Sequence, residues 1–123
     1  MKYILDTHIL LWWLSDSKNL SLKIREKITN PNNIIYVSAI SIWEIEIKKS
    51  LGKLQAPEID VKIITACQFK ELPVHIKHIL ALKELPNHHN DPFDRLLICQ
   101  SIVEKATLIT GDKLMAKYKL NIF

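Results

Sequence analysis

Tyr3-Ile4-Leu5-Asp6-Thr7-His8-Ile9-Leu10-Leu11-Trp12-Trp13-Leu14 is the stretch that decides the fold. A short apolar run at residues 3–5 is broken by Asp6-Thr7, and residues 8–14 resume with the length and composition of a helix, so the chain opens as buried strand, turn, helix. The pattern then repeats outward. Residues 21–29 carry Leu22, Ile24 and Ile28 among charged residues, an amphipathic helix closed by Asn30-Pro31-Asn32-Asn33. Residues 34–37 predict the next strand, and residues 38–51 a helix with Ile40, Trp43 and Ile47 at spacings of three and four, ending at Gly52. Helices are further predicted over 59–68, 76–85 and 93–105, strands over 71–74 and 107–110, a polar loop over 87–92 behind Pro86, and a last short helix over 113–118 before residues 120–123. Short apolar strands alternating with helices imply right-handed βαβ units, hence an α/β fold of three layers with a central parallel sheet flanked by helices.

Composition agrees. The chain has 123 residues, 48% of them hydrophobic and 24% charged, enough for one core without disulfides or a structural metal. Only two glycines occur and no Ser/Pro-rich stretch divides the chain, so residues 1–123 are expected to form a single domain. The formal charge of +4 favours a polyanionic partner without establishing one. The longest apolar run, residues 9–14, falls far short of the roughly 20 residues that span a bilayer, which excludes a membrane helix. Asp6 and His8 interrupt what would have to be the hydrophobic stretch of a signal peptide, so a cytoplasmic protein is expected. Cys67 and Cys99 lack any paired C-x-x-C spacing and read as reduced core thiols.

Ligands of parallel sheets bind beyond the carboxyl ends of the strands. The residues there are Asp6, Glu44, Asp94 and Asp112, all acidic. Four carboxylates in one crevice would repel one another unless cations lay between them, and oxygen ligands select hard ions such as Mg²⁺ or Mn²⁺. Such an ion activates water and stabilises charge on a phosphoryl oxygen, which suggests phosphodiester hydrolysis. Each acid also has a structural reading. Asp6 could cap the following helix, and Glu44 stands at capping-box spacing from Ser41, although a cap at Ser38 would leave it deeper in the helix. Asp91 with Pro92 looks like a helix start, making Asp94 the better ligand, and Asp112 could simply end a strand.

With these residues in place, the chain resembles the PIN-domain family, and more narrowly the VapC-type toxins of toxin–antitoxin pairs. The resemblance rests on residues 3–13, on Val37-Ser38-Ala39-Ile40-Ser41-Ile42-Trp43-Glu44-Ile45, on Asp91-Pro92-Phe93-Asp94-Arg95-Leu96-Leu97-Ile98, and on Leu108-Ile109-Thr110-Gly111-Asp112, in that order along almost the whole chain. It implies Mg²⁺- or Mn²⁺-dependent endoribonuclease activity with Asp6, Glu44, Asp94 and Asp112 as catalytic and metal-binding residues. It also implies products with 5′-phosphate and 3′-hydroxyl ends, an antitoxin partner and a homodimer. Many relatives carry another acid two residues beyond the last one; here that position is Leu114, so one firmly held ion, with a second arriving alongside RNA, is expected. A housekeeping RNA-processing nuclease and a non-catalytic RNA-binding domain are the competing readings.

Three further groups complete the expectations. His75, His78, His88 and His89 read as surface or loop residues, whereas His8 faces the crevice in a structural role. Trp12, Trp13 and Trp43 read as core, with one of the adjacent pair Trp12 and Trp13 at an interface. Lys48, Lys49, Lys53, Arg95 and Lys113 would rim the acids with positive charge for an RNA backbone.

Overall fold

A computed structural model describes residues 1–112; the helix expected over 113–118, residues 120–123, Lys113 and Leu114 lie outside the described residues. Strand β1 (Lys2–Leu5) forms where the opening run places it and is central. It pairs in parallel with β2 (Ile34–Ser38) on one side and β4 (Thr107–Ile109) on the other, and β3 (Lys70–Leu72) extends the sheet beyond β2, in the order β3-β2-β1-β4. Leu5 is in register with both Val37 and Ile109, so the carboxyl ends of β1, β2 and β4 finish together.

Parallel neighbours require crossovers, and helices supply them. α1 (Thr7–Leu14) and α2 (Leu22–Thr29) join β1 to β2, and α3 (Ala39–Ser50) and α4 (Val61–Ala66) join β2 to β3. α5 (Ile76–Leu80), a 3-10 turn (Ala81–Glu84) and α6 (Pro92–Glu104) lead to β4. Side chains of a strand alternate between faces, and the core divides accordingly. Tyr3, Leu5, Val37 and Ile109 pack with Ile9 of α1 and Ile64 of α4, whereas Ile4 and Leu108 pack with Leu97 and Ile98 of α6. The three-layer α/β expectation holds. Cys67 and Cys99 are free thiols, and among the described residues no helix is long and apolar enough to cross a membrane.

Helix ends explain where the element boundaries differ from expectation. The helix expected over 59–68 is shorter because Asp60 caps it through the Ile63 amide and Gln68 turns the chain at φ 62°. The strand expected over 71–74 is displaced to Lys70–Leu72, immediately before Pro73, which has no amide hydrogen for a ladder. The single helix expected over 76–85 is instead α5 followed by a 3-10 turn. His78 on α5 is fully buried rather than a surface residue, its Nε2 2.8 Å from Glu104 and its Nδ1 accepting from the His75 amide at 3.0 Å.

Candidate active site

The site is assembled where β1, β2 and β4 end. Asp6 follows β1 directly and is 4% exposed. Its Oδ1 accepts from the Ile9 amide at 2.8 Å, which caps α1, while its Oδ2 accepts from the Thr110 hydroxyl just beyond β4. Burial raises the carboxyl above its ordinary value, against the two hydrogen bonds, and the nearby Asp112 charge adds to the rise.

Glu44 comes from the helix after β2. Ser38 is the cap of α3, its hydroxyl accepting from the Ile40 amide at 3.1 Å, so Glu44 lies beyond the first turn and is not a capping-box residue. It is buried. The Thr7 hydroxyl donates to Oε1 at 2.6 Å and Lys48 Nζ reaches Oε2 at 2.5 Å, fastening α3 to the start of α1.

Asp94 enters from α6. Asp91 caps that helix, accepting from the Phe93 and Asp94 amides at 2.8 and 3.1 Å with Pro92 in the first helical position, as the sequence suggested. Asp94 is pushed up to about 7, first by burial and then by the charges of Asp91 and Glu44, with Asp6 contributing and His89 opposing. Asp112 follows β4, its amide donating to Thr110 Oγ1 at 3.0 Å, and so shares with Asp6 a single threonine hydroxyl. The acids chosen from the sequence thus converge, each near enough to another to perturb it or share its partner.

The sequence reading missed His89. It is 8% exposed, not a surface residue, and its Nε2 lies 3.1 Å from Asp94 Oδ2 and 2.9 Å from Asp112 Oδ2. His89, Asp94 and Asp112 offer ligand atoms within 4.8 Å of one another, a spacing compatible with a metal ion. The available signal was its place two residues before the Asp91 cap, in the loop that enters the crevice. Arg95 holds that loop, donating to the carbonyls of Leu85, Pro86 and His89 at 3.4, 3.1 and 3.3 Å.

Three of the cations expected at the rim are engaged within the protein. Lys48 leans inward onto Glu44, Lys49 pairs with Glu58 at 3.3 Å, and Arg95 is turned onto loop carbonyls. His8 is exposed and packs edge-on against Trp12 at 6.4 Å. Trp12 and Trp13 are partly buried against the core, but Trp43 is 57% exposed, its ring standing at 79° to Phe93, because it lies on the outer side of α3. It borders an apolar cleft of about 480 Å³ between α3 and α4, which contains none of the four acids.

Burial is the first cause that pushes Asp6 and Asp94 toward the neutral form, and the neighbouring acids add to it, so the site lacks a positive charge that would stabilise the anions. A hard divalent cation fits that deficit, and the donor chemistry is predominantly carboxylate oxygen.

The sequence profile of the PIN domain matches residues 3–120. Among solved structures the chain is similar to VapBC2 from Rickettsia felis bound to a DNA fragment from their promoter, with TM-score 0.71, 18% identity, and coverage of 100% of this chain and 98% of that one. It is also similar to DNA-bound VapBC from Salmonella typhimurium (TM-score 0.71, 16% identity, 100% and 97% coverage). A third is FitAcB from Neisseria gonorrhoeae (TM-score 0.69, 13% identity, 98% and 96% coverage). No curated protein matches the sequence.

Proposed function

Since the chain belongs to the PIN-domain family, we propose that it is a Mg²⁺- or Mn²⁺-dependent endoribonuclease acting in the cytoplasm as the toxin of a toxin–antitoxin pair. The observation that carries the reading is the convergence of acids from separate elements: the Thr110 hydroxyl joins Asp6 and Asp112, His89 Nε2 lies 3.1 Å from Asp94 and 2.9 Å from Asp112, and Thr7, next to Asp6, donates to Glu44. Asp6, Glu44, Asp94 and Asp112 are the residues that would hold the ion. The chemistry Mg²⁺ or Mn²⁺ supplies in such a setting is activation of water and stabilisation of charge on a phosphoryl oxygen.

The chain's own contribution is orientation. The α1 amide and the Thr110 hydroxyl fix both oxygens of Asp6, and Thr7 and Lys48 fix both oxygens of Glu44. Burial excludes bulk water from these groups and strengthens their interaction with any charge placed among them. An antitoxin and a second copy of the chain belong to the same proposal, supported by the VapC-type sequence blocks and by the likeness to VapBC structures over the full chain.

The test is incubation of RNA with the protein and Mn²⁺ or Mg²⁺, with and without EDTA. Cleavage that needs the ion and leaves 5′-phosphate ends is expected. Cyclic 2′,3′-phosphate ends formed in chelator would indicate histidine acid–base chemistry and refute the reading. Growth arrest on expression, relieved by a neighbouring gene, separates a toxin from a housekeeping nuclease.

A further inference from the structure

His89 is a buried titratable residue at the site that the four-acid reading leaves without a role. Its ring makes contacts on both sides. The Asp91 backbone amide donates to Nδ1 at 3.0 Å, while Nε2 faces Asp94 Oδ2 at 3.1 Å and Asp112 Oδ2 at 2.9 Å. A ring nitrogen that accepts from an amide carries no proton, so the neutral imidazole must hold its proton on Nε2. Ionised carboxylates, the form in which Asp94 and Asp112 would hold an ion, can only accept, so the opposite side of the ring then demands the same tautomer. The Asp91 backbone is held in place because its side chain caps α6, accepting from the Phe93 and Asp94 amides.

The spacing of His89, Asp94 and Asp112 would by itself suit a three-ligand metal site. The tautomer argues otherwise. To ligate through Nε2 the ring would have to lose its proton altogether or move it to Nδ1 and break the Asp91 bond. We propose that His89 is a positioning residue: a strut, fixed as the Nε2–H tautomer, that holds Asp94 from α6 and Asp112 from the end of β4 at one spacing and takes one oxygen of each. Arg95, bound to the carbonyls of Leu85, Pro86 and His89, anchors the loop carrying the strut. The ion is then left with carboxylate oxygens, which favours Mg²⁺ and Mn²⁺ over ions that prefer imidazole nitrogen. This inference rests on the proposed function for its ion, and it concerns how the ion is held, not what is cut.

The experiment combines tautomer, ligation and affinity on the full chain. With ¹⁵N-labelled histidine, long-range proton–nitrogen NMR assigned with His89→Gln should report the Nε2–H tautomer at His89 before and after Mg²⁺. Pulsed electron paramagnetic resonance of bound Mn²⁺ should show no directly bonded imidazole nitrogen. Calorimetric Mg²⁺ affinity should fall about tenfold or more in His89→Leu and recover in part in His89→Gln, which restores a donor, with circular dichroism confirming that both variants fold. A directly bonded nitrogen on Mn²⁺, an Nδ1–H tautomer, or unchanged Mg²⁺ affinity in His89→Leu would each overturn the proposal. Parallel RNA assays keep the two readings distinct. Parental protein that binds Mg²⁺ with the expected tautomer but leaves RNA intact sinks the nuclease alone, whereas RNA cleavage with a nitrogen ligand on Mn²⁺ sinks the strut alone.

Discussion

Replacing Asp94 by Asn should stabilise the metal-free protein at pH 8 while removing its response to metal. Asp94 ionises at about 7 instead of its ordinary 3.8, chiefly because burial and the Asp91 and Glu44 charges disfavour the anion. Between those two values the folded chain keeps a proton that the unfolded chain releases, so this group lowers stability progressively as pH rises through the window. The full gap corresponds to a ceiling of about 4 kcal/mol. The side chain retains 20% exposure, and solvent screening brings the expected gain for Asp94→Asn at pH 8 to about 1–2 kcal/mol, or roughly 5 °C in Tm. Asn preserves the shape and an oxygen that can accept from His89. Because all other titrations are shared, the Tm difference between variant and parent isolates this position: near zero at pH 4, growing through the window, largest at pH 8. Saturating Mg²⁺ should invert the order, since an ion at a hundred times its Kd stabilises the parent by about 2.7 kcal/mol and the variant hardly at all. Scanning calorimetry in EDTA and in Mg²⁺ at several pH values checks both. A variant less stable than the parent in EDTA at pH 8 would refute the reasoning.

Asp6→Asn keeps an acceptor for the Ile9 amide and should fold with near-parental Tm while losing RNA cleavage by at least about a hundredfold; Asp6→Ala should lose the cap as well, about 1 kcal/mol by denaturant titration. Mg²⁺ affinity should decline by about tenfold per pH unit below about 7, because the ion must displace the Asp94 proton, and calorimetry returning a flat profile between pH 8 and 6 would contradict that coupling. Trp43→Ala should cost no more than about 1 kcal/mol in thermal unfolding, since the ring is 57% exposed; a loss of about 3–5 kcal/mol would place it in the core.

The parts of the fold and site legible in the chain are those that local sequence can encode. The β1–α1 unit is visible because an apolar run breaks at Asp6. Asp6 and Asp112 are visible because each stands just past the end of a strand, and Glu44 and Asp94 because each lies in the early part of a helix beside those ends. Trp43 misleads because helical spacing groups residues on one face without saying what, if anything, covers that face. His89 is only faintly legible, from its place two residues before the Asp91 cap, because its partner Asp112 lies 23 residues away and the loop that brings them together is closed by Arg95 binding backbone carbonyls, which carry no side-chain signature. Asp6 carries a more general lesson: helix capping and site membership look like alternatives in a sequence, yet a carboxylate has two oxygens and can serve both. Oδ1 ties it to the α1 amide and Oδ2 faces Thr110 beyond β4. The cap is therefore part of how the site is built: the hydrogen bond that starts α1 also fixes the direction in which the remaining oxygen is presented. The same economy recurs at Asp91, whose side chain starts α6 while its amide holds the ring of His89. At strand ends in a parallel sheet, a structural explanation for an acidic residue is thus poor evidence against a chemical one, since the helix start is the device that aims it.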